Sequence, residues 1–115
     1  MNKALVNGNL FGGAYGNGAV VNGRITVTVN GGRVNGNVFG GGDAAAYSKS
    51  GQNYPVVNMT GGQATNVFGG GKGATAIVTG NPQVTLSGTA HVTGNVYGGG
   101  DAAQVTGQTN VQLRD

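Results

Sequence analysis

The chain has no cysteine and no tryptophan, and only two prolines, one histidine and three acidic residues among 115. Without cysteine there is neither a disulfide framework nor a thiolate metal site, which suits a cytoplasmic protein and a disulfide-free surface protein equally. Charged residues make up 8% of the sequence, and apolar runs separate the polar ones, which argues against intrinsic disorder. The formal charge of +3 comes from Lys3, Arg24, Arg33, Lys49, Lys72 and Arg114, placed singly along the chain. Cations so dispersed make no basic patch, and nucleic-acid binding is not expected. No apolar run approaches the roughly 20 residues of a membrane helix, so membrane insertion is not expected either. Residues 1–9 carry one lysine and break into Asn-Gly after three apolar residues, which is not a signal-peptide pattern. If the parent protein is secreted, this chain is a mature piece or an excised fragment.

What the chain has in excess is glycine, 26 residues, without the every-third spacing of collagen. Valine, threonine, isoleucine and leucine fill the runs between glycines, and these favour strands. One phrase recurs four times: Asn, an aliphatic residue, an aromatic residue, then glycines. It starts at Asn9, Asn37, Asn66 and Asn95, and its aromatics are Phe11, Phe39, Phe68 and Tyr97, spaced 28, 29 and 29 residues apart. A fixed period of that size marks a stacked repeat architecture. The units run 9–36, 37–65, 66–94, and 95–115 completed by 1–8, within a single domain.

Each unit reads as three short strands. One alternates apolar and small polar residues, as in Val27-Thr28-Val29, Val57-Asn58-Met59, Val84-Thr85-Leu86 and Val111-Gln112-Leu113, the pattern of a half-buried strand. A second runs into the aromatic phrase, as from Arg33 to Phe39. A third follows the glycines, as in Ala19-Val20-Val21 and Ala76-Ile77-Val78. No segment has a helical period with caps. The fold expected is all-β, a short parallel β-solenoid of about four coils with neighbouring coils about 4.8 Å apart. The alternative is a ring-closed, four-bladed propeller-like or prism-like fold, supported by Asn-Gly dipeptides at Asn7, Asn17, Asn22, Asn30 and Asn35, which favour hairpins. The solenoid is preferred because other units carry Thr-Gly or Ser-Gly at these places, and because 29 residues are few for a propeller blade.

In a solenoid, equivalent residues sit above one another. Asn9, Asn37, Asn66 and Asn95 are then expected to form an amide ladder, and Phe11, Phe39, Phe68 and Tyr97 an aromatic stack. Asp43, Lys72 and Asp101 follow the glycines in successive units, so the column alternates in sign; three solvated loop positions would read the same by chance. With the valines of the phrase turned inward, the aromatics form an outer strip able to stack on sugar rings. The plainer expectation is that the rings are buried inside or under a neighbouring loop.

At these residues the chain resembles the glycine-rich repeats of the NVYGGG type in large bacterial surface and secreted proteins. The resemblance covers nearly the whole chain and implies a non-enzymatic structural or adhesive role at the cell surface or outside the cell. No catalytic residue and no cofactor come with it. Such proteins usually carry many more repeats than the four found here.

The remaining candidates favour plain explanations. Gly70-Gly71-Lys72-Gly73 is a fragment of a phosphate loop, without the Gly-Lys-Ser/Thr or the helix that holds the anion. His91, the one histidine, has no second ligand for zinc and reads as a surface imidazole, so no metal site is expected. Asp43 and Asp101 two coils apart would suit a carboxylate pair, but Lys72 falls between them. Thr26, Thr28, Thr85 and Thr89 give only one clean Thr-x-Thr, as solvent-facing strand threonines do. The tail from Asn95 and the head to Gly8 together complete one 29-residue unit. Ring closure, head-to-tail stacking of copies, and excision from a longer array each produce that offset. Uncapped solenoid ends expose strand edges and core, so a homo-oligomer through the repeat ends is expected, with carbohydrate as an alternative partner.

Overall fold

The computed structural model describes residues 5–16, 18–21, 23–48, 52–105 and 107–113. Among these, every named element is a strand. The first coil carries β1 (Leu5–Val6), β2 (Leu10–Phe11), β3 (Val20–Val21) and β4 (Thr26–Val29). The second carries β5 (Arg33–Val34), β6 (Asn37–Phe39), β7 (Ala46–Ser48) and β8 (Val56–Met59). The third has β9 (Gln63–Ala64), β10 (Asn66–Phe68), β11 (Val78–Thr79) and β12 (Gln83–Leu86). The fourth has β13 (His91–Val92), β14 (Val96–Tyr97) and β15 (Asn110–Leu113), with Val105 bridging to Val78 where a further strand would stand.

The strands assemble into four sheets in the orders β1-β5-β9-β13, β2-β6-β10-β14, β3-β7-β11 and β4-β8-β12-β15. All the pairings are parallel and in register, one coil against the next. This is the parallel β-solenoid of about four turns that the repeat predicts, and not the closed ring. The Asn-Gly pairs at Asn7 and Asn35 stand at corners between strands of one coil, and that at Asn30 where the first coil passes into the second, rather than in hairpins. Asn17 and Asn22 lie outside the described residues.

One element differs from expectation. The run from Arg33 to Phe39 is broken by a bend at Asn35-Gly36, so β5 and β6 belong to different sheets and a coil has four strands rather than three. The corner is held by the Asn35 N–H donating to the Val6 carbonyl at 2.8 Å and by Asn35 Nδ2 donating to Asn7 Oδ1 at 3.0 Å.

Each sheet sends one column of side chains inward, and the longest sheet sends two. Val6, Val34, Ala64 and Val92 form one column, Leu10, Val38, Val67 and Val96 another, and Val21, Tyr47, Val78 and Val105 a third. The fourth sheet adds Val27, Val57, Val84 and Val111, and Val29, Met59, Leu86 and Leu113. Burial of a Val, Leu or Met side chain stabilises by about 1.5–3 kcal/mol, so these columns are the main favourable contribution of the fold. Tyr47 is the one aromatic in a valine column. It is buried, and its hydroxyl donates to the Gly23 carbonyl.

Candidate functional site: stacked columns and open ends

The aromatic phrase forms a continuous stack. Ring centroids of Phe11 and Phe39, Phe39 and Phe68, and Phe68 and Tyr97 are 4.7, 4.8 and 4.7 Å apart, with planes inclined by 6°, 6° and 10°. The spacing is that of the strands, so the backbone ladder sets it. Strand alternation turns Val38 and Val67 into the main core, and Phe39 and Phe68 are buried apolar residues outside that cluster. Phe39 is 0% exposed and Phe68 7%, while Tyr97 on the last coil is 43% exposed. The two inner rings are therefore closed to a sugar. Phe11 on the first coil is half-buried, and Tyr97 is the most exposed ring of the strip.

Two glycines follow Phe11 and three follow Phe39, Phe68 and Tyr97, and each position has its own physical reason. A Cβ on the first, at Gly40 or Gly69, would stand 2.5 Å from the following coil's carbonyl, that of Gly69 or Gly98, and 3.0–3.2 Å from Pro55 and Val57 or Pro82 and Val84, where the second sheet packs on the fourth. A Cβ on the second would point along the stack into the following coil, 2.8 Å from the Gly42 nitrogen for Gly13, 2.8 Å from that of Gly71 for Gly41, and 2.9 Å from that of Gly100 for Gly70. A Cβ on the third would point the other way, 2.6 Å from the Ala14 carbonyl for Gly42, 2.8 Å from that of Gly42 for Gly71, and 2.7 Å from that of Gly71 for Gly100. At a coil spacing near 4.8 Å only glycine fits at such places.

The asparagine column is a ladder of alternating kind. Asn9 Oδ1 accepts the Asn37 N–H at 2.8 Å, Asn66 Nδ2 donates to Asn37 Oδ1 at 3.0 Å, and Asn66 Oδ1 accepts the Asn95 N–H at 2.7 Å. Each amide thus ties two coils together at the entry to the aromatic strand. Asp43, Lys72 and Asp101 also fall in register, through parallel bridges that begin at Tyr15. The next residue in this column has positive φ in every coil: 106° at Gly16, 59° at Ala44, 93° at Gly73 and 55° at Ala102. Two coils therefore place an alanine in the left-handed region that favours glycine.

His91 is exposed and shares a column with Leu5, Arg33 and Gln63; Arg33 Nη2 donates to Gln63 Oε1 at 3.2 Å. Thr26 is in register with Val56, Gln83 and Asn110, and Thr28 with Asn58, Thr85 and Gln112, so the threonines form no array. No group of three His, Cys, Asp or Glu that could hold a metal occurs among the described residues.

A shallow depression of about 270 Å³, marked by no motif in the sequence, lies beside the fourth sheet. Asn53, Asn81, Gln83, Gln108, Thr109 and Asn110 line it, an uncharged set drawn from three coils. Asn81 Nδ2 donates to Asn53 Oδ1 at 3.3 Å, Asn110 Nδ2 to Gln83 Oε1 at 3.1 Å, and Asn81 Oδ1 accepts the Gln108 N–H at 2.9 Å. Only the stacked register brings these amides together, and no local motif announces it.

The ends differ from the middle. Among the described residues, the exposed large apolar side chains are Leu5, Tyr15 and Val20 on the first coil, Tyr97, Val111 and Leu113 on the last, and Ile77 alone between them. In one core column Val29 and Met59 are 0% exposed and Leu113 is 72% exposed. The last coil thus shows the core in cross-section, with β15 paired to β12 on one side.

These features define a glycine-rich parallel β-solenoid. Comparison with protein-family models, with curated proteins and with solved structures found no match.

Proposed function

We propose that the chain is a non-enzymatic structural or adhesive repeat module of a bacterial surface or secreted protein, associating through its ends. The observation that carries this reading is the burial of the fourth sheet's core columns, full at Val57, Met59 and Val84 in the middle coils and open at Val111 and Leu113 on the last. An edge strand with free backbone groups beside exposed apolar side chains is a template for further pairing. The surface location rests on the resemblance of the aromatic-glycine repeats to those of bacterial surface proteins. Sedimentation in dilute neutral buffer tests the association: mass should rise with protein concentration, and a monomer at every concentration would sink the reading.

A second reading, a carbohydrate-binding module, draws support from the amide-lined depression rather than from the aromatic strip. Neutral amides offer donors and acceptors together, which suits a ligand rich in hydroxyl groups. A glycan array with Asn81→Ala as the control distinguishes the two: binding that Asn81→Ala abolishes favours the carbohydrate reading, and an empty array removes it.

A further inference from the structure

Three asparagine–glycine pairs lie within the described residues, and all three sit in the same local phrase: Val6-Asn7-Gly8, Val29-Asn30-Gly31 and Val34-Asn35-Gly36. Such a pair can lose its side-chain amide without an enzyme. With no Cβ on the following residue, that residue's backbone nitrogen can reach the asparagine Cγ. The ladder residues Asn37, Asn66 and Asn95 are each followed by valine, whose branched Cβ hinders the approach. Because the three phrases match residue for residue, any difference between them comes from the fold.

The fold separates them. Asn30 follows β4 at the passage into the second coil and is exposed. Its Oδ1 accepts the Thr60 hydroxyl at 2.7 Å. Among the described residues, none accepts a hydrogen bond from Asn30 Nδ2 or from the Gly31 N–H. The attacking nitrogen and the departing one are thus both unengaged. A donor already stands on the oxygen that turns negative when Cγ becomes tetrahedral, which is the arrangement of an oxyanion hole. Asn35 is the reverse. Its Nδ2 donates to Asn7 Oδ1 at 3.0 Å, its N–H donates to the Val6 carbonyl, and its own carbonyl accepts the Thr65 hydroxyl at 3.2 Å. The departing nitrogen is tied there, and no described residue donates to the side-chain oxygen. Asn7 stands between the two, its Oδ1 accepting from the Asn35 amide. In the column of Asn30 the later coils carry Thr60 and Ser87, which have no amide to lose.

We infer that Asn30 is a self-modifying site, converting to aspartate or isoaspartate with Thr60 as the activating donor. The Gly31 nitrogen gives its proton to water and bonds to Asn30 Cγ. The Cγ–Nδ2 bond breaks, and Nδ2 takes up a proton and leaves as ammonia. Water then opens the cyclic imide: cleavage at Cγ yields aspartate, and cleavage at the main-chain carbonyl yields isoaspartate. Either product puts a carboxylate in place of a neutral amide and lowers the formal charge of +3 by one. In the aspartate form the Thr60 hydroxyl keeps its acceptor, now a charged one, so this contact between coils survives. At Asn35 the same change would delete the donor to Asn7 and set two acceptors face to face.

Peptide mapping tests this, because Arg24 and Arg33 bracket Asn30 in one tryptic fragment, 25–33. The next fragment, 34–49, carries Asn35 as its one Asn-Gly pair. The folded chain is incubated in neutral buffer, and the acid forms of each fragment are resolved by chromatography and mass spectrometry. Fragment 25–33 should convert several-fold faster than 34–49, and in urea the two should convert at matching rates. Thr60 is exposed, so Thr60→Val should keep the circular dichroism spectrum. It should slow conversion of 25–33 by about three- to tenfold, less than the roughly 10²–10³ that an oxyanion donor is worth in a closed active site. Thr60→Ser should restore the rate. Equal rates for the two fragments in the folded chain, or a folded Thr60→Val that converts as fast as the wild type, would overturn the inference. Should Thr60→Val fail to fold, the comparison of folded with urea-unfolded wild type decides alone.

Discussion

At the scale of the residue, the chain is governed by where a Cβ can go. Gly70 and Gly99 occupy the same place in successive coils, yet one faces a neighbour and the other faces open space. Gly70→Ala should lower the urea-unfolding free energy by about 1–3 kcal/mol, the usual cost of overpacking, while Gly99→Ala should leave a dilute sample nearly unchanged. The left-handed alanines allow the opposite experiment. Ala44 has φ of 59°, and Ala44→Gly should raise stability by about 0.5–1 kcal/mol, the relief of left-handed strain less the added freedom of the unfolded chain. Tyr47 supplies a pH dependence. Burial, and secondarily Tyr54, push its phenol above the ordinary tyrosine value of 10.0. The folded state therefore holds the proton more tightly than the unfolded chain does. The associated stability is fully present below pH 10 and is lost as pH rises beyond it toward the raised folded-state value. The urea midpoint should fall in that alkaline window, and Tyr47→Phe should lessen the fall while costing about 1 kcal/mol at neutral pH for the lost hydrogen bond to Gly23.

At the scale of the element, the aromatic strand is where core packing, ring stacking and amide ladder meet. Phe39→Ala should cost about 3–5 kcal/mol, since it empties a buried site and interrupts two ring contacts. Tyr97→Ala should cost markedly less, and paired thermal melts would show the difference. Much of this was legible beforehand: the aromatic phrase predicts the asparagine and ring columns, and the alternation around Val57 and Val84 predicts the fourth sheet. The split at Asn35-Gly36 was not, because β1, β5 and β9 are two residues long and too short for a period to show. Nor was β7, because the second coil spaces its elements differently. Asp43 and Tyr47 are four residues apart where Lys72 and Val78 are six, and Tyr47 and Val57 are ten apart where Val78 and Val84 are six. The left-handed position was readable from Gly16 and Gly73, had Ala44 and Ala102 been aligned with them. The amide depression was hidden because its residues become neighbours only across coils.

At the scale of the whole molecule, stability in a solenoid is close to a sum over neighbouring coils. The inner coils have a neighbour on both sides and hold most of the fully buried side chains, whereas β15 is exposed throughout. Amide hydrogen exchange should therefore be slowest in β6, β8, β10 and β12 and fastest in β13 to β15. If the ends associate, raising the protein concentration should slow exchange in the end strands selectively, and uniform slowing across the chain would speak against association there.

Tyr47 has one more consequence. Nearly identical repeats carry a hazard of their own: a coil can settle on the wrong neighbour, one repeat out of step, and still match valine to valine and ring to ring. A bulky phenol that appears in a single coil, and whose hydroxyl finds its acceptor on Gly23, has no equivalent berth one repeat away. It acts as an index mark, making the correct alignment of four similar copies cheaper than any shifted one.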